Sequence, residues 1–159
     1  MCRCFGFHAV GVDRSEARKE KNLLPIFAEL DDVKLRDGTP YHAITLFEVL
    51  EHLHEPLPVL KQLRKFAAKG AILVLTTPDC SGVRGINNYH DYRMINPLSH
   101  INGFTPDTLK NIATRAGFVS IVPATPYVTV DAVRVAKRTA RLVLSPVLKQ
   151  STQLYFRAE

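Results

Sequence analysis

Apolar and polar positions along this chain fall into short runs that alternate in period. Residues 9–12, AVGV, form an apolar run stopped by Asp13, and SEARKEKN then supplies a serine cap, an acidic first turn and a basic close. That order predicts a strand followed by a short helix. LPIFA at 24–28 and HAITLF at 42–47 read as two more strands, the second rich in residues that suit a buried one. From Glu48 the period lengthens. Leu50, Leu53, Leu57, Leu60 and Leu63 recur every three or four residues until Gly70, which predicts an amphipathic helix with a proline-marked entry.

AILVLTTP at 71–78 has the continuous apolar profile of a central strand covered on both faces. The polar stretch DCSGVRGINNYHDYRMINPLSHINGF reads as a long loop, and loops of that length usually carry function or are disordered. TPDTLKNIATRAG predicts a helix capped by Thr105 and ended at Gly117. FVSIV at 118–122 and QLYFRA at 153–158 are strand-like, and DAVRVAKRTARLVLSPVL between them reads as a helix broken at Pro146. Strands alternating with helices imply an α/β fold with a mostly parallel sheet and ligands at the C-terminal strand ends.

Composition narrows the picture modestly. With 159 residues, 46% apolar and 23% charged, the chain has room for one domain with a real core, spanning 1–159. Residues 128–148 form a basic helical insertion before the last strand. No stretch is long and apolar enough to span a membrane, and Asp13 interrupts the opening too early for a secretory signal, so a cytoplasmic protein is expected. Cys2, Cys4 and Cys80 make an odd count without a disulfide framework, and the spacing of the first two is too tight for a zinc half-site. The net charge of +6 favours anionic partners without specifying one. No nucleic-acid-binding motif is present.

Five segments, in order, resemble the class I S-adenosylmethionine (SAM)-dependent methyltransferases, specifically the branch whose fourth strand runs into an EVLEH segment. VGVD at 10–13 is similar to the second-strand motif, FAELDD at 27–32 to the loop after the third strand, and YHAITLFEVLEHLHEP at 41–56 to the fourth strand and its helix. GAILVLTTPD resembles the fifth strand, and LSHINGFTPDTLKNIATRAGF the entry to the last major helix. The resemblance implies a Rossmann-like sheet with flanking helices, SAM as cofactor, and methyl transfer to oxygen or nitrogen of a small-molecule or glycan acceptor.

It also implies roles. Asp13 matches the acid that accepts hydrogen bonds from both ribose hydroxyls, which the two oxygens of a carboxylate can do. Glu29 matches the acid beside the adenine amino group, with Leu30 against the ring, and Glu48 lies at the cofactor edge of the fourth strand. Glu48, Glu51 and His52 stand at i, i+3 and i+4 of the expected helix start and so share one face. In some members this ExxEH pattern holds a divalent metal together with a later histidine, for which His100 is the match. The same residues admit two other readings. His52 or His100 can act as a general base, or the acids can simply complement a helix dipole while the histidines pack.

Tyr89, His90, Asp91, Tyr92 and Arg93 form either an acceptor-facing lid or a solvated loop. Arg134, Lys137, Arg138 and Arg141 make a basic helical stripe that is either a solvated face or a contact for an anionic surface or partner. The family's acidic GxGxG loop and the strand before it have no counterpart in this sequence, as though the chain began inside the domain. The expected consequences are a gap in the sheet and impaired SAM binding, and the competing reading is a methyltransferase-like binding module without catalysis.

Overall fold

The computed structural model describes residues 6–15, 24–85, 89–96, 98–122 and 151–159, without the His90 side chain. The expected short helix after Asp13, the insertion at 128–148, the basic stripe and the Cys2/Cys4 pair all lie outside, wholly or largely, the described residues. The chain divides into two compact units, Met1–Thr39 and Pro40–Glu159.

In the first unit, β1 (Gly11–Val12) pairs in parallel with β2 (Ile26–Phe27). The pairing is held by the Gly11 amide on the Pro25 carbonyl and the Asp13 amide on the Phe27 carbonyl, both at 2.9 Å. Gly11 lies close under Ile26: a Cβ there would stand 2.7 Å from Ile26 Cδ1, so a larger residue would have to push that side-chain tip aside. Parallel pairing brings both strands to an end on the same edge, where Asp13 and Glu29 follow them.

The second unit is a four-stranded sheet in the order β3 (Tyr41–Phe47), β4 (Ala67–Pro78), β6 (Ser151–Ala158), β5 (Phe118–Ile121). β3 and β4 are parallel, and β6 runs antiparallel to both of its neighbours. Ala71, Leu73, Leu75 and Thr77 alternate along the buried face of β4, and Leu73 faces Phe156 across the ladder. Against that face pack Leu60 of α1 (Pro56–Phe66) and Leu109 and Ala113 of α3 (Pro106–Arg115), all fully buried. Ile72, Val74 and Thr76 on the other face are only partly covered, so the expectation of a strand covered on both faces holds for one face alone. β3 is likewise not the buried strand its composition suggested. Among the described residues it has one neighbour, β4, and of its side chains only Leu46 is buried.

The helix expected over 48–70 is shorter at both ends. Glu48 takes a left-handed backbone with φ +53, residues 50–52 form a single 3₁₀ turn, and the helix proper begins at Pro56. Pro56 disfavours helical geometry in the residue before it, and Glu55 is accordingly non-helical. At the other end Ala67 already pairs with Tyr41, so the chain enters β4 four residues earlier than AILVLTTP suggested. The long polar loop also contains a helix, α2 (Tyr89–Ile95). Thr105 caps α3 as expected, in a reciprocal box with Thr108. Among the described residues no helix is long and apolar enough to cross a membrane.

Candidate active site

Two groups of the expected residues are organised, one in each unit. In the first, Asp13 is half-buried at the end of β1, and its Oδ1 accepts the Ser15 amide at 2.9 Å, a local turn that fixes the carboxylate at the strand tip. Glu29 is exposed after β2 and is gripped by Arg14, whose Nη2 lies 3.0 Å from Oε2 and Nε 2.9 Å from Oε1. Leu30 follows, half-buried, as the first residue of a 3₁₀ turn. Arg14 was not singled out in the sequence, since its partner lies fifteen residues away on the next strand.

In the second unit the turn after β3 and the segment before α3 come together. Glu51 is 1% exposed, and among the described residues neither carboxylate oxygen has a hydrogen-bond partner. Burying an unpaired carboxylate is costly, and burial accordingly pushes the Glu51 pKa above its ordinary value of 4.5. Its own backbone amide and His52 pull in the opposite direction, while the neighbouring Glu48 carboxylate adds to the rise.

His52 and His100 approach with ring centroids 5.0 Å apart at 67°. His52 Nδ1 lies 2.7 Å from the Ser99 carbonyl and His100 Nδ1 3.0 Å from the Met94 carbonyl. A carbonyl accepts only, so each Nδ1 carries a proton, and in a neutral ring Nε2 then keeps its lone pair. One ligand atom from each of Glu51, His52 and His100 lies within 4.8 Å of the other two. Glu48 is outside that trio. It is exposed, with its amide donating to the Thr76 carbonyl at 3.0 Å, and its left-handed backbone removes it from the helical face that the i, i+3, i+4 spacing implied.

The polar arrangement depends on residues that the sequence did not mark. The Glu51 carbonyl accepts the Ile101 amide at 2.7 Å and the Asn102 amide at 3.0 Å. Thr77, near the end of β4, has a buried hydroxyl without a partner. Non-local hydrogen bonding leaves no periodic trace, so neither residue could have been found by pattern.

The expected lid is helical. α2 exposes Tyr89 and Tyr92, with the Arg93 guanidinium 5.8 Å from the Tyr89 ring centre, but buries Asp91, whose Oδ2 accepts the Arg84 amide at 3.0 Å. Asp91 is therefore part of the scaffold. Cys80 is a poor nucleophile, because burial raises its thiol pKa.

A family model described as a methyltransferase domain matches residues 1–122. No curated protein sequence matches the chain. Among solved structures, a SAM-dependent methyltransferase from Archaeoglobus fulgidus is similar over 98% of this chain and 78% of its own, at 16% identity and a TM-score of 0.63. One from Mesorhizobium loti covers 93% and 79%, at 17% identity and 0.58. The 1,6-didemethyltoxoflavin-N1-methyltransferase of Burkholderia thailandensis, solved with 1,6-didemethyltoxoflavin and S-adenosylhomocysteine, covers 96% and 62%, at 12% identity and 0.60. At these identities the structures speak for the fold, a Rossmann-like α/β sheet, and the family match extends over most of the sequence. This chain belongs to the methyltransferase-domain family, and its fold is similar to that of SAM-dependent methyltransferases.

Proposed function

We propose that the chain serves SAM-dependent methyl transfer to an oxygen or nitrogen of a small-molecule or glycan acceptor, with Glu51, His52 and His100 on the acceptor side. The observation that carries this reading is the polar trio itself: a buried carboxylate without a partner beside two imidazoles whose Nε2 lone pairs are left bare. Folding keeps such a costly arrangement where chemistry uses it.

The donor set after β1 and β2 fits the adenosyl half of SAM. Asp13 is the carboxylate for the ribose hydroxyls and Glu29, with Leu30, stands for the adenine end, one strand over. The sequence has no GxGxG loop to receive the remainder of the cofactor, so we expect weak binding by these residues alone. Bound SAM supplies an electrophilic methyl group. The protein's part is to hold the acceptor in line and to take its proton at His52 Nε2 or His100 Nε2.

A second reading adds a divalent cation held by Glu51, His52 and His100, with Glu48 as a further carboxylate. It is favoured by the same unpartnered oxygens and by both Nδ1 atoms resting on carbonyls, the outer-sphere pattern of ligating histidines. Such an ion would lower the pKa of a hydroxylated acceptor. The non-catalytic alternative uses the Arg134, Lys137, Arg138 and Arg141 stripe to bind an anionic partner.

Incubation with methyl-labelled SAM and a panel of phenolic, sugar and amine acceptors separates these readings. Label in an acceptor, lost in His52→Ala and His100→Ala, supports transfer. Absence of label across the panel while S-adenosylhomocysteine still binds supports the binding module.

A further inference from the structure

The three residues of the acceptor-side trio come from two segments 48 or more positions apart in sequence, and one side chain ties those segments together. Asn102 donates its amide Nδ2 to the Leu53 carbonyl at 2.5 Å and to the Leu50 carbonyl at 3.4 Å. Its backbone amide donates to the Glu51 carbonyl at 3.0 Å. One residue therefore donates to carbonyls on both sides of Glu51 and His52, at positions 50, 51 and 53, in a single 3₁₀ turn whose own closing bond, from the Leu53 amide, reaches only the Leu50 carbonyl of these three.

The strand of chain that ends in Asn102 also carries both acceptors for the imidazoles. Met94 offers its carbonyl to His100 Nδ1 and Ser99 offers its carbonyl to His52 Nδ1. That segment is itself shaped locally. Asn96, with φ +34, accepts the Ser99 and His100 amides on its carbonyl at 2.8 and 2.9 Å, and its side-chain amide donates to the Ser99 hydroxyl. Internal order in residues 96–100 does not fix the segment against the turn at 50–53. The bonds from Ile101 and Asn102 do.

We propose that Asn102 is a positioning residue that sets the tautomer of His52, and so leaves its Nε2 bare for proton abstraction or ligation; this rests on the acceptor-side role proposed above for the trio. Asn102 does not touch the reacting atoms. It acts by holding the Ser99 carbonyl at the distance where His52 Nδ1–H can donate to it, and a ring released from that bond is free to carry its proton on Nε2 instead.

The test is a long-range ¹⁵N–¹H NMR spectrum of the imidazoles in the full chain at about pH 8, where unperturbed histidines are neutral. Asn102→Ala removes the amide, and Asn102→Asp keeps its shape while replacing the donor with an acceptor set against two carbonyls. In the unaltered chain His52 and His100 both show the Nδ1–H pattern. In both variants the Nδ1–H to Nε2–H ratio at His52 falls about fivefold or more, the weight of one ordinary hydrogen bond. His100 changes less, because its acceptor lies within its own segment, and the amide spectrum outside residues 48–54 and 94–104 is preserved.

Retention of the Nδ1–H pattern at His52 in both variants overturns the proposal. So does its loss in Asn102→Ala but not in Asn102→Asp, which would make shape rather than donation the cause, and so does general unfolding of both, which would make Asn102 an ordinary stability residue. The spectrum needs neither cofactor nor acceptor. A failed transfer assay therefore leaves this result standing, and a failed tautomer test leaves the transfer reading standing.

Discussion

Replacing Glu51 by methionine makes the sharpest energetic prediction. The carboxylate is 1% exposed, neither oxygen is hydrogen-bonded, and Glu48 stands close enough to oppose its ionisation. Methionine has a similar unbranched length, is apolar and adapts to irregular space. Leaving a polar group buried and unsatisfied costs about 1–3 kcal/mol, and replacing a buried charge by an apolar side chain of like volume commonly recovers that much. Glu51→Met is therefore expected to stabilise the metal-free chain by about 1–3 kcal/mol near pH 8, a rise in melting temperature of roughly 4–12 °C for a unit of this size.

The pH dependence carries the sign. The folded-state pKa of Glu51 is raised above the ordinary 4.5. The folded state then binds the proton more tightly than the unfolded state, so this contribution to stability is fully present below the unfolded value and is lost as pH rises through the raised folded value. The advantage of the methionine variant should accordingly shrink as pH falls to about 4.5 and grow towards neutrality. Thermal unfolding followed by circular dichroism in the presence of a chelator, at several pH values from about 4.5 to 8, measures it. A methionine variant less stable than the parent at pH 8, or a difference that does not vary with pH, would refute the reasoning.

The remaining expectations are briefer. If the trio holds a divalent ion, Mn²⁺ or Zn²⁺ at about a hundredfold excess over its dissociation constant should stabilise the chain by about 2.7 kcal/mol. That gain should vanish in Glu51→Met and His100→Ala, and its persistence in both places the ion elsewhere. Thr105→Ala removes the side-chain acceptor of the Thr108 amide, one of the two bonds of the box that starts α3, and should cost about 1 kcal/mol in denaturant titration; no loss would mean that Pro106 at the first helical turn and the remaining Thr105 amide bond to Thr108 suffice to start the helix.

Much of this architecture was legible because the relevant signals are local. Thr105 and Gly117 bracket α3 as caps do, and Gly117 takes the φ of +89 that a glycine terminator supplies. Asp13 was found as the residue that closes an apolar run and Glu29 through the family resemblance, and parallel pairing of β1 and β2 puts them at one edge. Leucine periodicity misled at residues 48–55 because the 3₁₀ turn and α1 both bury leucines in one core. Leu50 and Leu60 are each fully inaccessible, although only the second is in the α-helix. α2, at seven residues, is too short for a 3.6-residue period to register against its polar surroundings.

The site was legible in its residue types and not in its construction. Glu51, His52 and His100 were singled out, and they do converge, but by a turn and a returning segment rather than by one helical face. Glu48 is not on one helical face with Glu51 and His52, because the helix does not begin there, although its carboxylate still acts on that of Glu51. Asn102, Arg14 and Thr77 were missed because each acts, or lacks a partner, through contacts that no spacing in the sequence encodes.

The central claim is that these residues serve SAM-dependent methyl transfer, and its most direct test is a titration of the ¹⁵N-labelled chain with S-adenosylhomocysteine. The account predicts weak binding, with a dissociation constant on the order of 1 mM, equivalent to about 4 kcal/mol. Shifts should centre on Asp13, Glu29 and Leu30 and disappear in Asp13→Ala. An unchanged spectrum at about ten times that concentration, or shifts that survive Asp13→Ala undiminished, would contradict it.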